Sequence, residues 1–248
     1  MILFRIVVPT YNAEKWVGKT IQSIKEQDYP NFKCTIINDI STDQTLDVIN
    51  AEIAGDNRFD TITNTKKGYP LGSIFNGIQH QQDIQDEDVI ITLDGDDWFA
   101  NERVLSTLAD IYEKTGCLMT YGSYQDYPSG ERGRACRQIA QEVIDNNSFR
   151  EAPWVTSHLR TFKYILWRNI KLTDLRDEQG EIYKMAGDLA MMFPMLEMAA
   201  ERSQFVEDIL VIYNRSNPLN ADKVNANLQL SNEQKVRTSP KYLRLDFA

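Results

Sequence analysis

Residues 91–99 read Ile-Thr-Leu-Asp-Gly-Asp-Asp-Trp-Phe. The run Val89-Ile90-Ile91-Thr92-Leu93 has the continuous apolar character of a buried strand. It stops at Asp94-Gly95-Asp96-Asp97, three carboxylates within four residues. Uncompensated charge at the end of a buried strand is costly, and a divalent cation would remove the cost. Oxygen-rich clusters suit Mg2+ or Mn2+, and such an ion with few protein ligands is typically shared with substrate phosphates. Turn chemistry is a second account, because Asp-Gly is a turn signal by itself. On these residues alone both accounts stand.

Outward from this stretch the first half of the chain alternates. Leu3 to Val8, Cys34 to Ile37 and Phe59 to Thr63 have strand patterns. Between them, 14–27 carries Trp16, Val17, Ile21 and Ile24 at helical spacing, and a second helix carries Leu46, Val48, Ile49 and Ile53. Ser41-Thr42-Asp43-Gln44 matches a capping box, with Ser41 at the N-cap of that second helix. A third helix, 71–82, turns Leu71, Ile74, Phe75 and Ile78 inward and leads into the acidic strand. Strands alternating with helices predict an α/β, Rossmann-like, mainly parallel sheet with helices on both faces. Ligands bind such sheets at the carboxyl ends of the strands. Tyr11, Asp39 and Asp94 each lie just past a strand, so they should reach one crevice.

The second half is less regular. Asn101 is placed to cap a helix containing Val104, Leu105, Leu108 and Ile111, and 119–124 is a strand pattern. The polar segment 128–147, with Gly130, Arg132, Gly133, Arg134 and Arg137, reads as a mobile loop. Residues 189–199 are apolar nearly all round and predict a buried helix, 204–213 a last strand, and 217 onward a polar, mostly irregular tail with at most a short helix.

Composition narrows the function. The 248 residues carry a formal net charge of −9, which argues against a nucleic-acid partner. Cys34, Cys117 and Cys136 are widely spaced and unpaired by motif, the pattern of reduced thiols in a cytoplasmic protein. With two histidines, His80 and His158, a Cys/His zinc site is disfavoured. No stretch is long and apolar enough for a signal peptide or membrane span; peripheral membrane contact stays open, and so does the oligomeric state.

Three motifs then occur in order: Ile6-Val7-Val8-Pro9-Thr10-Tyr11-Asn12, Asn38-Asp39-Ile40-Ser41-Thr42-Asp43 and Leu93-Asp94-Gly95-Asp96-Asp97. Together they resemble the family 2 glycosyltransferases of GT-A fold, strongly over about the first 100 residues and more weakly to Asn214-Arg215-Ser216-Asn217-Pro218. The resemblance implies inverting transfer of a sugar from a nucleotide diphosphate sugar, with Mn2+ or Mg2+. It implies that Pro9 and Tyr11 pack around the nucleobase and that Asp39 accepts the N–H of a uracil ring. Asp94 would contact the ribose as the first acid of a D-x-D motif, and Asp96 would bind the metal. Asn12, Lys67, Asn76 and Gly95 complete the donor-binding set. Tyr11 as a core aromatic and Asp39 as a turn residue remain alternatives.

An inverting transfer needs a base for the acceptor hydroxyl. Ala186-Gly187-Asp188-Leu189 supplies the candidate, Asp188, where the family usually carries Glu-Asp; here Gly187 replaces the Glu. The plain structural role of Asp188 would be an N-cap. Asp174, Asp177 and Asp208 rank below it. Trp154, His158, Arg160, Asn214 and Arg215 are candidates for the acceptor or phosphate side, with packing and a solvated basic face as their other readings. The expected organisation is a single GT-A domain, 1–216, with a donor half (1–100), an acceptor half (101–216) containing a small antiparallel region, and a tail (217–248). No Q-x-x-R-W motif follows Asp188, so one sugar per encounter is expected, onto a hydroxyl of a glycan or glycoconjugate. A sugar-phosphate nucleotidyltransferase would carry a Gly-rich basic loop where Pro9-Thr10-Tyr11-Asn12 stands. A catalytically silent nucleotide-sugar binding module would not need Asp188.

Overall fold

The computed structural model describes residues 1–134, 136–219 and 226–246. Its first half is β1 (Phe4–Thr10), α1 (Val17–Lys25), β2 (Phe32–Asn38), α2 (Thr45–Ile53), β3 (Phe59–Thr63), α3 (Tyr69–His80) and β4 (Val89–Thr92). These strands lie in the order β3-β2-β1-β4, all parallel, with Phe4 opposite both Phe32 and Val89. The second half adds β5 (Trp98–Phe99), α4 (Val104–Thr115), β6 (Met119–Tyr127), α5 (Gln141–Asp145), β7 (Ser157–Lys163), α6 (Tyr164–Arg168), α7 (Gly187–Ala199), β8 (Ser203–Asn214) and α8 (Ala226–Thr238). They extend the same sheet as β4-β7-β6-β8-β5. Here β7 runs antiparallel to both neighbours, β6 and β8 are parallel, and β5 is antiparallel to β8. The fold is α/β of GT-A type, with the antiparallel region on the side away from β1–β3.

Side-chain alternation on the strands sorts the helices. Phe4, Ile6 and Val8 of β1 face the layer built from Val17, Ile21 and Ile24 of α1, Ile49 of α2, and Val104, Leu105 and Leu108 of α4. Val7 of β1 and Ile37 of β2 face the opposite layer, with Leu71, Ile74 and Ile78 of α3 and Leu189, Met192 and Phe193 of α7. Helix α3 lies close on the sheet because of Gly77, where a Cβ would fall 2.6 Å from Ile37 Cδ1. Arg5 breaks the apolar pattern of β1. It is 2% exposed, and its guanidinium is held by Asp88 at 2.9 Å and Asp83 at 2.8 Å. Lys33 and Arg5 in turn hold the Asp83 carboxyl down to about 2.

Three local readings change. Helix α2 begins at Thr45, so Ser41-Thr42-Asp43-Gln44 is not its capping box. Ser41 Oγ instead accepts the N–H of Asn12, and Asp43 Oδ1 accepts that of Thr45. The segment 128–147 is ordered where described: Gly133 N–H bonds Tyr124 O, Arg132 reaches Ser123 Oγ at 3.0 Å, and α5 closes it. The C-terminal stretch, of which 220–225 and 247–248 lie outside the described residues, contributes a full helix, α8, with Val236 in the core.

That docking centres on one buried ion pair. Arg150, in the turn after α5, donates to both oxygens of Glu197 on α7, at 2.6 and 2.9 Å, and also to Val236 O on α8. Glu197 Oε2 additionally accepts the N–H of Tyr242. Among the described residues no helix is long and apolar enough to cross a membrane. Removing one partner of a buried pair leaves the other charge uncompensated. Glu197→Ala should therefore lower unfolding stability by about 3–5 kcal/mol, measured by urea denaturation. A change within about 0.5 kcal/mol would mean that the pair contributes nothing beyond a surface substitution.

Candidate active site

The carboxyl ends of β1, β2 and β4 lie side by side at one edge of the parallel sheet, and the acidic turn follows β4 there. Gly95 is required there: its N–H bonds Pro9 O at 3.0 Å, and a Cβ would overlap Thr10. Thr20 of α1 donates to Gly95 O and Asp97 O, pinning the turn from beneath. Asp97 is buried; its Oδ1 accepts the N–H of Asn214 at 2.8 Å, and its Oδ2 has no hydrogen-bond partner. Burial, with repulsion from Asp96 and Asp94, pushes its carboxyl well above the usual range. Burial and Asp94 push Asp96 up to about 6, although Asn217 donates to its Oδ2 at 2.7 Å. Burial opposes ionisation of Asp94 too, but His158 and Arg160 outweigh it and hold that carboxyl low. His158 lies 3.8 Å from Asp94, and burial, reinforced by Arg160, lowers its pKa and favours the neutral ring. One oxygen each of Asp94 and Asp97 and a ring nitrogen of His158 lie within 4.8 Å of one another. This donor set, with an orphaned buried oxygen, fits a divalent cation.

A cavity of about 220 Å³ adjoins the turn and is lined by Asp94, Thr92, His158, Arg160 and Asp188. Asp188 is not the N-cap of α7. That position is Ala186, in the left-handed region, and Asp188 sits in the first turn without a capping bond. Arg160 Nη2 reaches its Oδ2 at 3.5 Å. Gly187 is explained by packing, since a Cβ there would fall 2.7 Å from Leu71 Cβ. The competing acids are engaged elsewhere: Asp174 accepts Tyr242 OH, Asp177 caps a turn through Gln179 and Glu181, and Asp208 is exposed on β8.

Just past the end of β2, Asp39 is buried and fully engaged. Its Oδ1 accepts from Asn64 Nδ2 and Gly68 N, and its Oδ2 from Tyr69 N, with Lys67 Nζ at 3.2 Å. Lys67 also lies over the ring of Tyr11, which is 40% exposed. One ammonium therefore covers the Tyr11 face and the last lone pair of Asp39. Pro9 is buried in β1. Asn12 and Asn76 are buttresses: Asn12 Oδ1 accepts Thr42 N, and Asn76 donates to Asn64, which holds Asp39.

Trp154 lies outside the cleft, edge-on to Phe193 and lining a separate cavity, because α7 presents Phe193 to it. Arg215 pairs with Asp126 at 2.9 Å and stacks over Tyr213, while Asn214 serves the turn through its backbone N–H. Sequence reasoning passed over Thr92, Asn64, Tyr183, Lys184, Tyr213, Asn217 and Gln229. Thr92 adjoins the acidic motif and Asn217 lies inside the quoted Asn214–Pro218 stretch, so both carried a local signal. The others reach the site only through tertiary packing.

Residues 5–177 match the model of glycosyl transferase family 2. An uncharacterized glycosyltransferase of Haemophilus influenzae is 34% identical over 125 residues, covering 50% of this chain and 48% of that protein. Glycosyltransferase GlyG of Streptococcus pneumoniae is 26% identical over 229 residues, covering 86% of this chain and 71% of GlyG. The chain thus spans about half of the first relative. Among solved structures, Staphylococcus aureus TarS 1-349 in complex with UDP-GlcNAc superposes with a TM-score of 0.66 at 17% identity, covering 87% of this chain and 59% of that TarS chain. Mannosyltransferase PcManGT from Pyrobaculum calidifontis, in complex with GDP-Man and Mn2+, gives 0.59 at 14% identity, covering 85% and 56%. These two establish the fold alone. With the motifs in order, the acidic turn at the end of β4 and a family match over most of its length, this chain belongs to glycosyl transferase family 2.

Proposed function

We propose that the chain is an inverting, Mn2+-dependent glycosyltransferase. It would move one sugar per encounter from a UDP-sugar to a hydroxyl of a glycan or glycoconjugate. The observation that carries this reading is that Asp94 and Asp188 line the same cavity from opposite elements, the end of β4 and the start of α7. The division follows: a donor half over 1–100, an acceptor half over 101–216, and a tail that docks on the latter. The free cysteines support a reducing, cytoplasmic setting.

Asp188 is the base. Its carboxylate, oriented by Arg160, takes the proton of the acceptor hydroxyl as the hydroxyl oxygen attacks the anomeric carbon. In-line attack places the leaving diphosphate on the opposite face of the sugar, toward the acidic turn. When bound there, the cation stabilises negative charge developing on the leaving diphosphate. Asp96, as the resemblance places it, and the Asp94, Asp97 and His158 donors would hold it, and the imidazole favours Mn2+ over Mg2+. The UDP-GlcNAc complex of TarS and the Mn2+ complex of PcManGT support donor and metal of this kind. At the base subsite, outward movement of Lys67 would free Tyr11 for stacking and an Asp39 oxygen for the uracil N–H together.

Three outcomes test this reading. Asp188→Asn should retain donor binding while kcat for transfer falls ~10²–10⁴-fold, the worth of general-base assistance. Near-normal kcat with a competent acceptor would remove Asp188 from the chemistry. Asp96→Ala should weaken Mn2+ binding about tenfold or more in calorimetry with UDP present. If it does not, and His158→Ala does, Asp94, Asp97 and His158 hold the ion without Asp96. Asp39→Ala should weaken UDP by roughly 1.5–3 kcal/mol more than GDP, as a hydrogen bond to a charged acceptor is worth. Equal losses for both nucleotides would assign Asp39 to holding the Gly68–Tyr69 turn alone.

A further inference from the structure

A second cavity, of about 110 Å³, shares no lining residue with the cleft. Its walls are Ile139, Phe149, Trp154, Phe193 and Leu196, and its rim at Arg137 and Gln138 is exposed. Thr156 also lines it. That residue is 2% exposed, and its Oγ1 has no hydrogen-bond partner. Leaving a buried hydroxyl unpaired costs about 1–3 kcal/mol, so such an atom in a cavity wall calls for a partner.

Water is poorly held in the cavity. The space admits several waters, and each needs two to four polar partners. Among the buried side chains of this cavity, one atom, Thr156 Oγ1, offers an unmet hydrogen bond. The chemistry that matches both walls and hydroxyl is an apolar body carrying one hydrogen-bonding group. The aromatic walls favour a ring, since Trp154 already meets Phe193 edge-on at 5.4 Å between centroids.

We propose that this cavity is a ligand site, separate from the donor cleft, for a small apolar ring bearing one hydroxyl or carbonyl group. Its position links it to the cleft. Thr156 immediately precedes β7, which carries His158 and Arg160, and Phe193 lies on α7 five residues beyond Asp188, about 7.5 Å along a helix axis. An occupant would stiffen the two elements that meet at the Arg160–Asp188 contact.

The test uses phenol and toluene as probes of the whole chain, by calorimetry and by protein fluorescence with a Trp154→Phe control. Phenol should bind, and more tightly than toluene. Thr156→Val should cost phenol about 3- to 10-fold while leaving toluene unchanged, and Thr156→Ser should restore phenol binding. Leu196→Trp, which fills the cavity, should abolish both. Absence of binding by either probe, with water alone in the cavity, overturns the proposal. So does equal phenol affinity in wild type and Thr156→Val, or displacement of phenol by UDP. If Thr156→Val does not fold, the Thr156→Ser and Leu196→Trp results decide.

Discussion

Mutual repulsion among the carboxylates at the end of β4 is the constraint around which the rest of the chain is arranged. Three acids in four residues would drive that turn apart in a buried setting. The fold counters the repulsion with neutral donors and nearby positive charge. Thr20 clamps the turn's carbonyls, Asn214 and Asn217 donate to Asp97 and Asp96, and Arg160 with His158 stands over Asp94. These donors come from α1, β7 and the residues at and beyond the end of β8. What they leave unmet is one oxygen of Asp97. The protein holds the turn in shape yet leaves one buried oxygen without a partner, a deficit that a cation would meet.

The two halves of the sheet divide the work. The parallel half aligns three strand ends, so a turn residue after each arrives at the same edge of the sheet without further device. The mixed half has no such register to exploit. There β7 runs antiparallel to β4, so Arg160 sits opposite Thr92, the last residue of that strand, and His158 lies beyond it beside the acidic turn. Helix α7 enters from the opposite layer with Asp188 in its first turn. A close approach of α7 to α3 at Gly187 and Leu71 sets its position.

Much of this was legible beforehand because it depends on short-range pattern. Strand alternation and helical spacing located β1–β4 and α1–α3, and the three motifs located Tyr11, Asp39 and Asp94. The misreadings share a cause. Ser41-Thr42-Asp43-Gln44 has a capping-box composition, but the Asn12 loop claims Ser41 before the helix begins. Trp154, next to a proline, reads as packing more readily than as a sugar platform, and Phe193 meets it edge-on in the structure. The tail is polar in composition, yet Arg150, a charged residue remote in sequence, organises its docking. Contacts spanning a hundred residues leave no periodicity to read.

The partners of the acidic turn also impose an order of assembly. Asp97 meets Asn214 across 117 residues, and Asp96 meets Asn217 across 121. On the ribosome, β1 to β4 can pair long before either asparagine exists, at ~5–20 residues per second roughly 6–24 seconds earlier. The nascent donor half therefore spends that interval with its most acidic segment unbraced and the β4 edge open to β7 not yet made. Completion of the nucleotide side waits on the last strand of the sheet, so a truncated chain lacking β8 would carry every donor motif and still lack a formed site.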